Sequence, residues 1–244
     1  MSEIIYTVES GVATIALNAP ERRNAFTAAM VAELLTACES ADKDDEVGAV
    51  VITAVGQSFC AGAHRDILRE VGKDPTRDDN FQLLNATYSA FTRVGSLRSP
   101  TISAVRGQAV GAGVNLMLAT DLRIVAETAQ IITGFVRIGI HPGGGHFGLV
   151  GRAAGREAAA ALSLFGQEID GRRAVDLGLA WQALPEDQVE ARALELATYV
   201  ARDPELARAA ARTMRLELGP PAIPWPAALE AEKAVQMWSL RRKA

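Results

Sequence analysis

Residues 47–55, VGAVVITAV, form an apolar run without polar alternation. A strand of that kind needs cover on both faces, which a parallel sheet flanked by helices supplies. The segments SPTISAVR, DLRIVA and AQIIT read as further strands, and glycine-containing loops and helices recur between them. The first 135 residues therefore repeat strand, loop and helix, which predicts stacked ββα turns or a parallel sheet. Ahead of them, IIYTVESGVATIAL alternates on both sides of Ser10-Gly11 and predicts a β-hairpin.

Helical spacing predicts one helix from near Thr27 and another carrying Leu84, Tyr88, Phe91 and Val94 on one stripe. Residues 73–80, KDPTRDDN, lack apolar anchors and read as a mobile loop. From about Gly145 the pattern turns helical. Asp170 and Asp187 are placed to cap helices, Gly178 to end one and Pro204 to begin another. GPPAIPWP (219–226) breaks the chain before a last helix over 227–240.

A chain of 244 residues with 49% hydrophobic content can bury one substantial core. No apolar run is long enough to span a bilayer, and MSEIIYTVES does not resemble a leader peptide. Two cysteines, Cys38 and Cys60, give neither a disulfide framework nor a metal pattern, so a cytoplasmic setting is expected. With 25 basic against 29 acidic residues, nucleic acid is not expected as a partner. A few local arginines would still suffice for a phosphorylated small molecule.

GGGHFG (143–148) matches G-x-G-x-x-G in form, but Pro142 precedes it and helices follow, which is not a dinucleotide-binding context. His64, His141 and His146 have no ligand at metal-binding spacing, and no metal or cofactor is expected. His141 and His146 read as packing or loop hydrogen-bonding residues. SFCAGAHRD (58–66) and AVGAGVNLML (109–118) each place tiny residues just before a helix. Helix starts leave amides unpaired, so two of them could converge on one oxygen as an oxyanion hole. Tight turn packing explains the small residues equally well, and both readings stay open on the residues alone.

At these positions the chain resembles the crotonase, or enoyl-CoA hydratase/isomerase, superfamily. The matching blocks, in order, are ALNAPERRNAF, GAVVITAVGQSFCAGA, SPTISAVRGQAVGAGVNLMLATDLRIVAETAQI, GIHPGGG and GQEIDGRRAVDLGLAWQALP. The resemblance implies a spiral of ββα repeats over residues 1–185 and a helical C-terminal region, 186–244, that trimerises, singly or as a dimer of trimers. It also implies an acyl-CoA thioester as ligand, in fatty-acid or other acyl-CoA metabolism. The backbone amides of Ala63 and Ala112 would form the oxyanion hole. Arg22, Ala25, Ala61, Ala63, His64, Gly111 and Gly143 would border the ligand, with Arg22 or Arg23 near its phosphates.

Two departures matter. Hydratases of this family carry two glutamates, and their positions hold Asn115 and Phe135 here. An amide can position water but cannot serve as a general base at neutral pH, and a phenyl ring can do neither. Standard hydration is therefore not expected, and an acyl-CoA-binding paralogue without chemistry is the alternative. His64, which titrates near neutrality when unperturbed, is the acid/base candidate. Asp66 reads as a helix or ion-pair residue, and Asp121 as a turn anchor. The chain also stops earlier than the family pattern, which would open the ligand mouth or bring Arg241, Arg242 and Lys243 to phosphates.

Overall fold

The computed structural model describes residues 2–218 and 224–241. Strands β1 (Ile4–Glu9) and β2 (Val12–Leu17) pair antiparallel with Glu9 opposite Val12. The two-residue turn between them has Ser10 at φ 51° and Gly11 at φ 75°. Two positive φ values are what a type I′ hairpin turn demands. Helix α1 (Ala28–Lys43) follows, and the Thr27 hydroxyl caps it by accepting from Met30 N at 3.0 Å.

From there the chain alternates between two sheets. Strand β3 (Ala49–Ala54) enters the large sheet and β4 (Ser58–Cys60) the small one, before helices α2 (Arg65–Lys73) and α3 (Asp78–Gly95). Strands β5 (Thr101–Val105) and β6 (Gln108–Val110) repeat the step and lead into α4 (Ala112–Ala119). Strands β7 (Leu122–Ala126) and β8 (Gln130–Ile132) repeat it again, before α5 (His146–Ser163). Each turn of the spiral thus adds one strand to each sheet and one helical layer outside. All six residues of β3 are buried between β2 and β5, as the apolar run predicts.

The chain then adds β9 (Glu168–Ile169), α6 (Gly171–Asp176), β10 (Gln182–Leu184), α7 (Val189–Val200), α8 (Pro204–Glu217) and α9 (Trp225–Arg241). The large sheet has the order β1-β2-β3-β5-β7-β10, parallel beyond the hairpin, and the small one β4-β6-β8-β9. Helix α7 lies on β3, β5 and β7, and Ala193 and Ala197 join the same buried core as Ile52 and Val125.

Four expectations need correction. The region after Gly145 is not purely helical, because β9 and β10 close the edges of the two sheets. They are two and three residues long, too short to show a period. Residues 73–80 are the end of α2, a turn and the start of α3. Asp74 ties that turn by accepting from the Thr76 hydroxyl at 2.6 Å, and Asn80 Nδ2 donates to Asp74 O at 2.8 Å. Asp187 caps nothing; it lies in a 3-10 turn, Glu186–Gln188, ahead of α7. The last helix begins at Trp225, two residues inside the segment read as a breaker. Most of that segment, 219–223, lies outside the described residues, as do Arg242 and Lys243.

Asp170 does cap α6, accepting from Arg173 N at 2.8 Å, and Asp203 caps α8 just ahead of Pro204. Gly178, at φ 80°, follows the end of α6. Asp121 anchors its turn by accepting from Thr101 N at 2.8 Å and from the Thr101 hydroxyl at 2.9 Å. No described helix is long and apolar enough to cross a membrane.

Candidate functional site

The start of α4 meets the end of β4 because glycine lets their backbones touch. A Cβ on Gly113 would fall 2.2 Å from Cys60 O, and one on Gly62 would fall 2.7 Å from Val110 O and 3.3 Å from Ala112 N. Gly62 also sits at φ +85°, a region that L side chains rarely adopt. The two glycine-rich stretches are therefore pressed together, with Ala63 and Ala112 beside the contact.

Ala63 is held by a parallel bridge to Phe26, in which Phe26 N donates to Gly62 O at 2.8 Å and His64 N to Phe26 O at 3.0 Å. In a parallel bridge the central residue's own N–H points away from its partner. The Ala112 amide is the first of α4, beyond Gly111, whose N–H is taken by Ile132 O at 2.9 Å. Among the described residues neither the Ala63 nor the Ala112 amide has a hydrogen-bond partner. Both residues line one cavity of about 610 Å³, so the unpaired donors have a space to serve.

The other sequence-selected residues converge on that cavity. Arg22, Ala25, Ala61, His64 and Gly111 line it, and the buried Asn115, Phe135 and Gly143 form its inner wall. His64 caps α2, with Nδ1 accepting from Asp66 N at 3.3 Å, which leaves Nε2 for other partners. Arg22 is already engaged, donating to Glu21 at 2.8 Å and lying 2.5 Å from a Glu3 carboxylate oxygen. Arg23 and Arg65 are exposed at the same mouth and have no carboxylate partner among the described residues. Asp66 pairs with Arg69 at 2.5 Å and does not line the cavity. Arg241 donates to Lys73 O, beside a separate groove.

The inner wall holds an arrangement the sequence does not announce. Asn115 is 1% exposed, and its Nδ2 donates to Gly143 O at 3.0 Å. Its Oδ1 is therefore the acceptor facing His146 Nδ1 at 2.7 Å, so that ring nitrogen carries the proton. His146 Nε2 then accepts from the Ser163 hydroxyl at 3.1 Å. Full burial pushes the His146 pKa down to about 3, so the ring is neutral at ordinary pH. The Phe135 ring stands edge-on to it, 4.9 Å between centroids. His141 turns back on its own loop, with Nδ1 at 2.6 Å from Pro142 O.

Two residues missed by sequence reasoning, Tyr88 and Gln236, also line the cavity. Tyr88, legible only as part of an apolar stripe, donates its hydroxyl to Gln236 of α9, and Gln236 Nε2 donates to His141 O at 3.2 Å. Asn24, buried at φ 53°, accepts from Ala19 N at 2.7 Å and donates to Val55 O at 3.0 Å and Ser58 O at 2.7 Å. It pins the mouth loop to the sheets. The carboxylate that lines the cavity is Glu21, at the mouth, and no described carboxylate lines the inner wall. No described cluster of His, Cys, Asp or Glu is placed to hold a metal ion.

Residues 7–236 match the enoyl-CoA hydratase/isomerase family. A probable enoyl-CoA hydratase of Mycobacterium tuberculosis is 42% identical over 218 residues, covering 89% of this chain and 83% of that protein. The 1,2-epoxyphenylacetyl-CoA isomerase of Escherichia coli is 34% identical, covering 84% and 78%. Among solved structures, a protein from Mycobacterium abscessus described as an enoyl-CoA hydratase/isomerase superposes with TM-score 0.79 at 30% identity, over 96% and 90% of the two chains. One from Acinetobacter baumannii reaches 0.86 at 24% identity, over 99% and 94%, and supports the fold.

Proposed function

This chain belongs to the enoyl-CoA hydratase/isomerase family, and on that premise we propose that its cavity binds an acyl-CoA thioester without standard hydratase chemistry. The observation that carries the reading is the pair of unpartnered amides, Ala63 and Ala112, in a cavity whose described inner wall has no carboxylate. In this reading the thioester oxygen accepts from both amides. The N-terminal end of α4 adds its partial positive charge. Negative charge that develops on the oxygen in an enolate is stabilised by donors already fixed in place. Exposed Arg23 and Arg65 at the mouth suit the phosphates of CoA.

Hydration through paired glutamates has no groups to run on at 115 and 135. Proton transfer falls to His64, whose Nε2 is left over from helix capping. Isomerisation, the activity printed for the Escherichia coli relative, belongs among the reactions to screen. If no thioester turns over, the protein is an acyl-CoA carrier, a reading favoured by the apolar Phe135 at a family glutamate position.

The test is direct. Calorimetry with acyl-CoA should show binding, and crotonyl-CoA hydration should stay at background. Robust hydration abolished by Asn115→Ala would overturn the mechanism. Mass spectrometry of enoyl-, dienoyl- and 3-oxoacyl-CoA mixtures separates catalyst from carrier, and His64→Ala should abolish any turnover found. The trimer or dimer of trimers expected of the family predicts a light-scattering mass three or six times that of the 25.9 kDa chain. Reduced Cys38 and Cys60, both free and buried, agree with a cytoplasmic protein.

A further inference from the structure

Three residues other than glycine take a positive φ among the described residues: Ser10 in the hairpin turn, and Arg23 and Asn24 side by side at φ 55° and 53°. Two such residues in succession are costly and persist only where their surroundings hold them. The Asn24 side chain does the holding, since it is fully buried and bonded to Ala19 N, Val55 O and Ser58 O. The pair turns the chain so that 23–26 runs alongside 61–64. Ala61 N donates to Arg23 O at 2.9 Å, Phe26 N to Gly62 O at 2.8 Å and His64 N to Phe26 O at 3.0 Å. Gly62 O and the Ala63 N–H belong to one planar trans peptide, so they point in opposite directions. By gripping the oxygen, Phe26 N aims the Ala63 amide. A grip is needed because a peptide flanked by glycine turns over easily.

We propose that Asn24 is a positioning residue for the Ala63 donor, fixing through Phe26 the direction in which that N–H points. This rests on the oxyanion reading above. Asn24 does not line the cavity and touches no ligand there. Its three bonds hold the strained turn, the turn sets Phe26 against 62–64, and Phe26 N holds the peptide plane. Without the side chain the turn is free to relax to negative φ, and the Gly62–Ala63 peptide loses its brace. The Ala112 amide is placed independently, by α4 and by the bond from Gly111 N to Ile132 O. Loss of Asn24 therefore disturbs one donor of the two.

The experiment reads the thioester carbonyl itself, by infrared spectra of hexanoyl-CoA labelled with carbon-13 at that carbon, free and bound to the intact protein. In the wild type the bound band should lie at lower frequency, because two N–H donors draw charge onto the oxygen. Asn24→Gly accepts the positive φ but cannot make the three side-chain bonds, and it should lose about half of that shift, one donor of two. Gly155→Ala adds backbone strain on α5, where a Cβ meets nothing within 4 Å, and should keep the whole shift. Lost stability alone then does not imitate the effect. Hydrogen exchange in the wild type, which needs no variant to fold, should find the Phe26 and His64 amides slow and the Ala63 amide fast until the thioester is added. A full shift in Asn24→Gly, or a fast Phe26 amide in the wild type, overturns the proposal. Absence of any shift in the wild type sinks the oxyanion reading instead, before a substitution is made.

Discussion

Gly62→Ala probes the contact that brings Ala63 and Ala112 together. Gly62 sits at φ +85°, and a residue with a side chain held in such a region costs about 1–3 kcal/mol. The new methyl would also fall 2.7 Å from Val110 O and 3.3 Å from Ala112 N, backbone atoms with little room to yield. Gly155 provides the control: it has φ +80°, and a Cβ there meets nothing within 4 Å. Gly155→Ala should therefore show the backbone strain alone, and Gly62→Ala the strain plus separation of the two amides. Urea unfolding should report a loss of about 1–3 kcal/mol for Gly155→Ala with acyl-CoA affinity retained. Gly62→Ala should lose at least as much stability, and its acyl-CoA affinity should fall by ten-fold or more, the order of one buried hydrogen bond to a ligand oxygen. Equal affinity in the two variants would refute the placement of the oxyanion donors.

Asn24→Ala removes three hydrogen bonds, two of them fully buried, from the mouth loop and should destabilise the protein by about 1.5–4.5 kcal/mol in urea titrations, at about 0.5–1.5 kcal/mol each. His146 has a folded pKa of about 3 against 6.5 when unfolded, so the unfolded chain binds the extra proton. Its contribution is therefore complete above pH 6.5 and is lost as pH falls toward 3, at up to about 1.4 kcal/mol per unit. Wild-type stability should fall more steeply from pH 6.5 to 5 than that of His146→Gln, and parallel curves would contradict it. Asn115→Glu combined with Phe135→Glu should lower the melting temperature and leave crotonyl-CoA hydration at background. Recovered hydration would show that the missing carboxylates are the whole difference.

Much of the framework is legible in the chain because long elements carry a period. The uninterrupted run of β3, the alternation around Ser10-Gly11 and the Leu84–Val94 stripe each encode their burial locally. What escapes is short or reciprocal. Strands β9 and β10 exist only because β8 and β7 offer them an edge. Asn24 reads as one more polar residue in a polar loop, and its three bonds go to residues as far away as Ser58. Tyr88 reads as core, since a single hydroxyl does not disturb an apolar stripe; its partner Gln236 lies 148 residues further on.

Asn115 shows how far substitution at a single position can be read. From sequence it is a loss, a carboxylate position that holds no carboxylate. In the fold it donates to Gly143 O and accepts from His146 Nδ1–H, a pair of demands that an ionised carboxylate, which only accepts, cannot meet. A glutamate there would face a buried carbonyl oxygen without a proton to share, and burying that repulsion is costly. Phe135 belongs to the same arrangement, because its ring edge packs on the imidazole that holds the amide. The two departures and His146 are thus consistent with one another, as an inner wall built around neutral hydrogen bonds.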